Sequence, residues 1–249
     1  MSTRTTGRMA AVAVASAAGL ALLAPAAAQA ASFTDSHTAA AQAAPAAKIP
    51  AKLTVSGYKT YLKKHWKNGG RETFIAFSKL TPTQQKRFLR LLEDRSLYRD
   101  LQTRAKGSIG KPVHVSDPSS KKDVRFVTDV ISRTAKDAAG TTTVRFSLSE
   151  RIYNIPVTTK TLTVKFAAKD GKAKKTFVTP SVRNVNAAID IKAGPARVSS
   201  KGAVTNAAVS WTAKPLVRAF GTKKVLKDQT VRTVIAQKTA AFTAQLANR

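Results

Sequence analysis

The sequence predicts an α+β protein in which a small N-terminal helical module precedes an antiparallel β-sandwich-like domain. Three observations carry this. Between residues 53 and 107 apolar residues recur at three- and four-residue intervals, the spacing of one helix face. From residue 111 to residue 249 they alternate with Thr, Lys and Arg, as in strands buried on one side. The first 52 residues show neither period.

That opening stretch has its own order. Arg4 and Arg8 give a positive start, Met9 to Leu23 form an apolar run, Pro25 breaks it, and Ala28-Gln29-Ala30 supplies a small-x-small exit. Charge, apolar core and small-residue exit in that sequence read as a secretory signal cleaved after Ala30. The run, at about 15 residues, falls short of the roughly 20 that span a bilayer. A secreted, extracellular protein is therefore expected, with no transmembrane segment in the mature chain. Arg4 and Arg8 are separated, which favours the general export route over the twin-arginine one. Residues 31–52 are Ala-rich, with Pro45 and Pro50, and read as a flexible leader.

The helical module divides into four. Ser56 is placed to cap a helix on which Tyr58, Tyr61, Leu62 and Trp66 share a face, and Gly69-Gly70 ends it. Phe74, Phe77 and Leu80 mark a second. Thr81, Pro82 and Gln84 form a capping box with proline at the first helical position, ahead of the stripe Phe88, Leu91, Leu92. Ser96 is placed to cap a fourth helix carrying Leu97 and Leu101, with Gly107 and Gly110 as its exit.

Strands follow. Val124, Phe126, Thr128 and Val130 alternate with their neighbours, as do Val144, Phe146 and Leu148, and Leu162, Val164 and Phe166. Turns are read at Lys136-to-Gly140 and at Asp170-Gly171, the latter leading into Thr176 to Val178. Ile189 with Ile191, Val204 to Thr212 and Val225 to Ile235 continue the series. Ala240 to Leu246 is a last strand or a short helix. Seven or eight strands with turns at roughly ten-residue spacing describe an antiparallel sandwich or a strongly curved sheet.

The chain carries 43 Lys and Arg against 13 Asp and Glu, a net charge of +30. Removing residues 1–30, which hold two arginines and no acid, leaves +28. A hydrophobic content of 43% separates it from disordered polycations. Cysteine is absent, so core packing alone holds an exported chain together and thiolate metal sites are excluded. The excess charge points either to a polyanion partner or to simple solubility. Lys172, Lys174 and Lys175, and on the third helix Lys86, Arg87 and Arg90, are the candidate polyanion-binding residues.

Catalytic chemistry finds few residues. The only histidines are His37, His65 and His114. His114 and Asp117 could be joined to a distant serine, but no G-x-S-x-G elbow supports such a triad. Glu72, Glu93 and Glu150 are too scattered for paired-carboxylate work. No H-E-x-x-H or D-x-D-x-D-G pattern offers a metal site, and no cofactor is expected. Gly69-Gly70-Arg71 follows no strand and is no phosphate loop. An RNP-type aromatic face is missing, so dedicated nucleic-acid recognition is not expected.

What remains is a secreted, non-enzymatic interaction protein. Its first version is an adaptor or subunit of an extracellular bacterial multi-protein assembly, such as a toxin particle or surface structure, docking another secreted protein. The alternative is a cationic binder of anionic cell-wall polymer or another extracellular polyanion. A hydrolase with an unrecognised site stands third.

Overall fold

The computed structural model describes residues 49–135, 140–169, 172–235 and 240–249. The signal and most of the leader, His37, the turn at residues 136–139 and the Asp170-Gly171 turn lie outside the described residues. What is described is two antiparallel sheets of eleven strands with four short helices.

The helices are α1 (Val55–Lys64), α2 (Gly70–Ser78), α3 (Pro82–Leu92) and α4 (Arg95–Asp100). In α3 the Thr81 hydroxyl accepts from the Gln84 amide and the Gln84 side chain accepts from the Thr81 amide. This reciprocal cap is the one the sequence predicts. Two other caps shift. Thr54, not Ser56, caps α1, and Asp94, not Ser96, caps α4 through the Leu97 amide. Each true cap sits two residues earlier than the serine, in extended backbone, and the serine falls inside the first turn. Gly69 adopts φ +88° between α1 and α2. It is required there twice over, because a Cβ would also stand 1.9 Å from the Arg183 guanidinium.

One sheet runs in the order β1 (Thr103–Ser108), β11 (Ala240–Asn248), β10 (Val225–Ile235), β9 (Val204–Pro215), β7 (Ile189–Ala193), with β8 (Arg197–Lys201) also pairing β9. The other is a meander of β2 (Val113–Pro118), β3 (Val124–Thr134), β4 (Thr141–Ile152), β5 (Ile155–Lys169) and β6 (Lys172–Asn184). We call them the first and second sheets. The tail at residues 240–248 is a strand, inserted between β1 and β10. β1 begins inside the range 53–107 read as a helical module, ends one residue beyond it, and belongs to a sheet instead. Its residues, Thr-Arg-Ala-Lys-Gly-Ser, bury only Ala105 and therefore carry no apolar alternation.

The sheets face each other across a continuous apolar core. Phe146, Leu148, Leu162, Val164 and Phe166 come from the second sheet, and Val209, Trp211, Val231, Phe242 and Leu246 from the first. Buried polar groups are tied across it: the Trp211 indole donates to Gln229 Oε1 (2.8 Å), and Gln229 Nε2 donates to the Phe146 carbonyl (3.1 Å). The same core runs on through Tyr58, Phe77, Phe88, Leu92 and Leu97 of the helices. Tyr58 donates to the Val185 carbonyl (3.0 Å) and Asn186 Nδ2 to the Leu92 carbonyl (3.2 Å), so the helices cover one end of the sandwich. None of the described helices is long and apolar enough to cross a membrane.

Candidate functional site

Strand alternation sends every second residue to solvent, and on the first sheet the outward set is unusually cationic. The register aligns Arg104 with Gln245, Gln245 with Thr230, Thr230 with Ala208, and Ala208 with Arg197. Those five residues make one row across β1, β11, β10, β9 and β8. The next row, aligned in the same way, is Lys106, Thr243, Arg232, Asn206, Ser199. Four cations thus stand over a floor of hydroxyls and amides. The small Ala208 leaves the floor open, and the concavity measures about 450 Å³ with no carboxylate among its lining residues. Arg104 and Arg197 are four strand spacings apart, roughly 19 Å at about 4.8 Å each.

The second sheet repeats the composition on the opposite side. Arg133 aligns with Thr143 and Thr143 with Lys165; Ile131 aligns with Arg145 and Arg145 with Thr163. These six, with Thr161 and Ser181, line a concavity of about 420 Å³, again without a carboxylate. Hydroxyls pair along the floor, Ser147 with Thr161 at 2.9 Å and Ser149 with Thr159 at 2.8 Å. Guanidinium forks and hydroxyl donors in linings without a carboxylate are suited to phosphate or carboxylate oxygens; the nearest outward carboxylates, Asp129 and Asp228, are already engaged by His114 and Ser210.

The candidate residues read from the sequence lie elsewhere, and the structure does not bring the two groups together. Lys172, Lys174 and Lys175 are exposed at the end of the β5–β6 ladder, where Lys169 pairs with Lys172. The helices meet the other end of that ladder, where Thr158 pairs with Asn184 and Arg183 donates to the Gly69 carbonyl. Eleven residues of strand, roughly 35 Å, separate the two ends. Within the helical group Arg87 is engaged by Asp123 (2.6 Å), while Lys86 and Arg90 stand exposed. The rows on the sheets were missed because their members are distant in sequence. The one signal available was the phase of each arginine, opposite to the apolar residues of its strand.

Not every cation faces out. Glu150, Lys160 and Lys227 are buried beneath α4. Glu150 accepts from the Thr158 hydroxyl (3.1 Å) and neighbours Lys160 diagonally, since Glu150 pairs with Thr158 and Leu148 with Lys160. The Lys160 ammonium lies 4.5 Å from the Tyr98 ring centre and that of Lys227 5.4 Å. Lys227 Nζ donates to the carbonyls of Arg99 (3.2 Å) and Leu101 (2.7 Å) and to Asn248 Oδ1 (2.7 Å). It thereby closes the C-terminal end of α4 with all three protons used. Burial, reinforced by the Lys160 charge, pulls the Lys227 pKa down to about 7. Burial lowers Lys160 and raises Glu150, each opposed by the other's charge. The cluster fastens α4 to both sheets.

The histidines stand apart. His114 on β2 pairs with Asp129 at 2.7 Å in an exposed position. His65 packs on Tyr61, ring centres 4.2 Å apart, and lines a groove of about 580 Å³ with Arg183, Asp190 and Leu216, from which His114 is absent. No described group of three or more His, Asp or Glu is placed to hold a metal ion. Compared with family models, curated proteins and solved structures, the chain finds no match.

Proposed function

We propose that this is an exported, non-enzymatic binding protein that holds an anionic polymer on the solvent faces of its sandwich. The observation that carries the reading is the pair of adjacent rows on the first sheet. Arg104, Lys106, Arg232 and Arg197 stand there over Gln245, Thr243, Thr230 and Asn206, with no carboxylate lining the groove. A solvated face serving solubility alone gains from interspersed charge of both signs; within these two rows the charge is of one sign, and the carboxylate of the next row, Asp228, is taken by the Ser210 hydroxyl at 2.6 Å. Export by residues 1–30, with a mature terminus at Ala31, belongs to the same reading and places the protein among extracellular polyanions.

The test is a salt titration of binding to a soluble polyanion. Affinity falls as salt rises, because each neutralised anion releases counterions and steepens the logarithmic slope by about 0.7–0.9. The variant R104Q/R197Q/R232Q lowers that slope by two to three and keeps its thermal stability, since all three side chains are exposed. An unchanged slope overturns the reading.

A second reading, the adaptor in a multi-protein assembly, draws on a different observation. Phe177 and Val198 are exposed, at 66% and 45%, on β6 and β8. Those strands approach where Thr176 and Ser200 hydroxyls stand 3.4 Å apart. Large apolar side chains beside open strand edges suit strand docking by a protein partner. Co-purification with a protein at moderate salt, unaffected by R104Q/R197Q/R232Q and lost in F177S/V198S, supports this second reading.

A further inference from the structure

The two cationic grooves lie on opposite faces of one body, and this sets what a bound polymer can do. Sheets in a sandwich are about 10 Å apart, and outward side chains add to both sides, so the grooves face away from each other across the apolar core. A single chain reaching both must round an edge of the sandwich. At the β1–β2 edge it meets Asp117 on β2 and, one strand in, Asp129 paired with His114. At the β6–β8 edge it meets exposed Phe177 and Val198 among the exposed cations Lys174, Arg197 and Lys201. The two grooves are thus separate sites on opposite faces, each open to its own segment of polymer.

We propose that the protein is a bivalent cross-linker of phosphodiester polymer, binding one chain on each sheet face and bridging the two. The inference rests on the polyanion reading above and adds valence and ligand class to it. Arginine forks with Thr, Asn and Gln donors match tetrahedral phosphate oxygens. Neither lining contains an aromatic ring, and Phe177, which continues the second-sheet row beside Lys165, stands as a single ring where base stacking along a strand takes successive ones. A flexible wall polymer of the poly(glycerol phosphate) kind fits that chemistry, with exposed phosphates and no base to recognise. Linkage of two modest sites through one rigid body also converts weak contacts into retention within a polymer mesh.

The experiment is light scattering of the full exported chain mixed with poly(glycerol phosphate), beside a direct binding measurement. Scattering rises to a maximum at intermediate protein-to-polymer ratio and falls in excess of either component, as bridging requires. R104Q/R197Q/R232Q and R133Q/R145Q/K165Q each still bind, with a salt slope lower by two to three, and each abolishes the scattering maximum. K172Q/K174Q/K175Q removes the same charge from the end of the β5–β6 ladder and keeps the maximum. If this charge-matched variant loses scattering equally, bulk charge drives association and the two-site proposal is overturned. If one face's variant abolishes binding and the other's changes nothing, a single site exists and bridging is overturned while polyanion binding stands. If the unaltered protein binds without a maximum, bridging falls alone; if it does not bind at low salt, the polyanion reading falls first. Tighter binding to single-stranded DNA than to the wall polymer overturns the ligand class.

Discussion

The inner and outer layers of this sandwich use the same kind of side chain in opposite ways. Lys160 and Lys227 are fully buried and share the Tyr98 ring; Lys227 has three hydrogen-bond acceptors, whereas Lys160 Nζ has none and relies on the ring and the nearby Glu150 charge. Arg104, Arg197 and Arg232 are exposed over a groove whose lining holds no carboxylate. The difference is which face of the pleat a residue occupies. A cation in phase with the core must be partnered or it costs several kcal/mol; one out of phase keeps its water and remains available to a ligand. The first group belongs to folding and the second to binding, and substitutions should separate the two cleanly.

The largest effect is expected inside. E150Q leaves Lys160 and Lys227 buried without an anion, a situation that costs about 3–5 kcal/mol. Chemical denaturation should show that loss, with polymer binding by the remaining folded protein unchanged. The double variant E150L/K160M removes both charges of the diagonal pair and leaves Lys227 on its three acceptors. It should recover most of the lost stability. A loss below about 1 kcal/mol for E150Q would mean that water reaches the cluster, and the contrast between layers would dissolve.

Lys227 also makes stability depend on pH. Its folded pKa, about 7, lies below the ordinary lysine value of about 10.4. Between those two values the unfolded chain binds more protons than the native one, so stability rises with pH across that window and is lost as pH falls through about 7. Glu150 acts in the opposite sense. Its raised pKa makes the native state the better proton binder above the ordinary range, so its contribution fades as pH climbs from there. The difference in unfolding free energy between the unaltered protein and K227M isolates the lysine. That difference should change by something on the order of 3 kcal/mol between neutral pH and pH 10. A flat difference would show that the carbonyl acceptors hold the ammonium charged throughout.

Much of this architecture was legible because burial and period coincide. α3 follows its capping box, and β3, β4, β5, β9 and β10 follow their alternation of apolar and polar residues. Illegible were the strands that bury nothing. All five residues of β8, Arg-Val-Ser-Ser-Lys, are exposed; the strand exists because β9 offers it backbone partners, which no side-chain pattern records. The candidate site was hidden for a related reason. Arg104 and Arg197 share a row only because β11 inserts between β1 and β10 and β8 joins β9, and strand order is a property of the whole chain. The buried lysines did leave a trace. Lys160 is in phase with Leu162 and Val164, and Lys227 with Val225 and Val231, which already places both ammonium groups inward.

The division of the chain near residues 107–111 can be tested by limited proteolysis. Residues 47–249 form one compact unit, and Lys227 ties the end of α4 to β10 and β11. A single resistant fragment containing both helices and sheets is expected. A stable β fragment freed by cleavage between Lys106 and Lys122 would instead make the helices a separate module. In E150Q the same cut should become faster, because α4 then loses part of what fastens it.

The smallest effect should come from the basic groups that the sequence alone singles out. Lys172, Lys174 and Lys175 are exposed at one end of a hairpin, and Lys175 sits at a positive φ of 50° where the β5–β6 register shifts. They border no described groove, so a polymer lying along either sheet would touch them only in passing. K172Q/K174Q/K175Q should lower the salt slope of polymer binding by less than about one, roughly one lost contact, against two to three for either face. Equal losses at the hairpin and at the faces would mean that net charge, not arrangement, governs binding. The contrast between layers would then hold for stability alone.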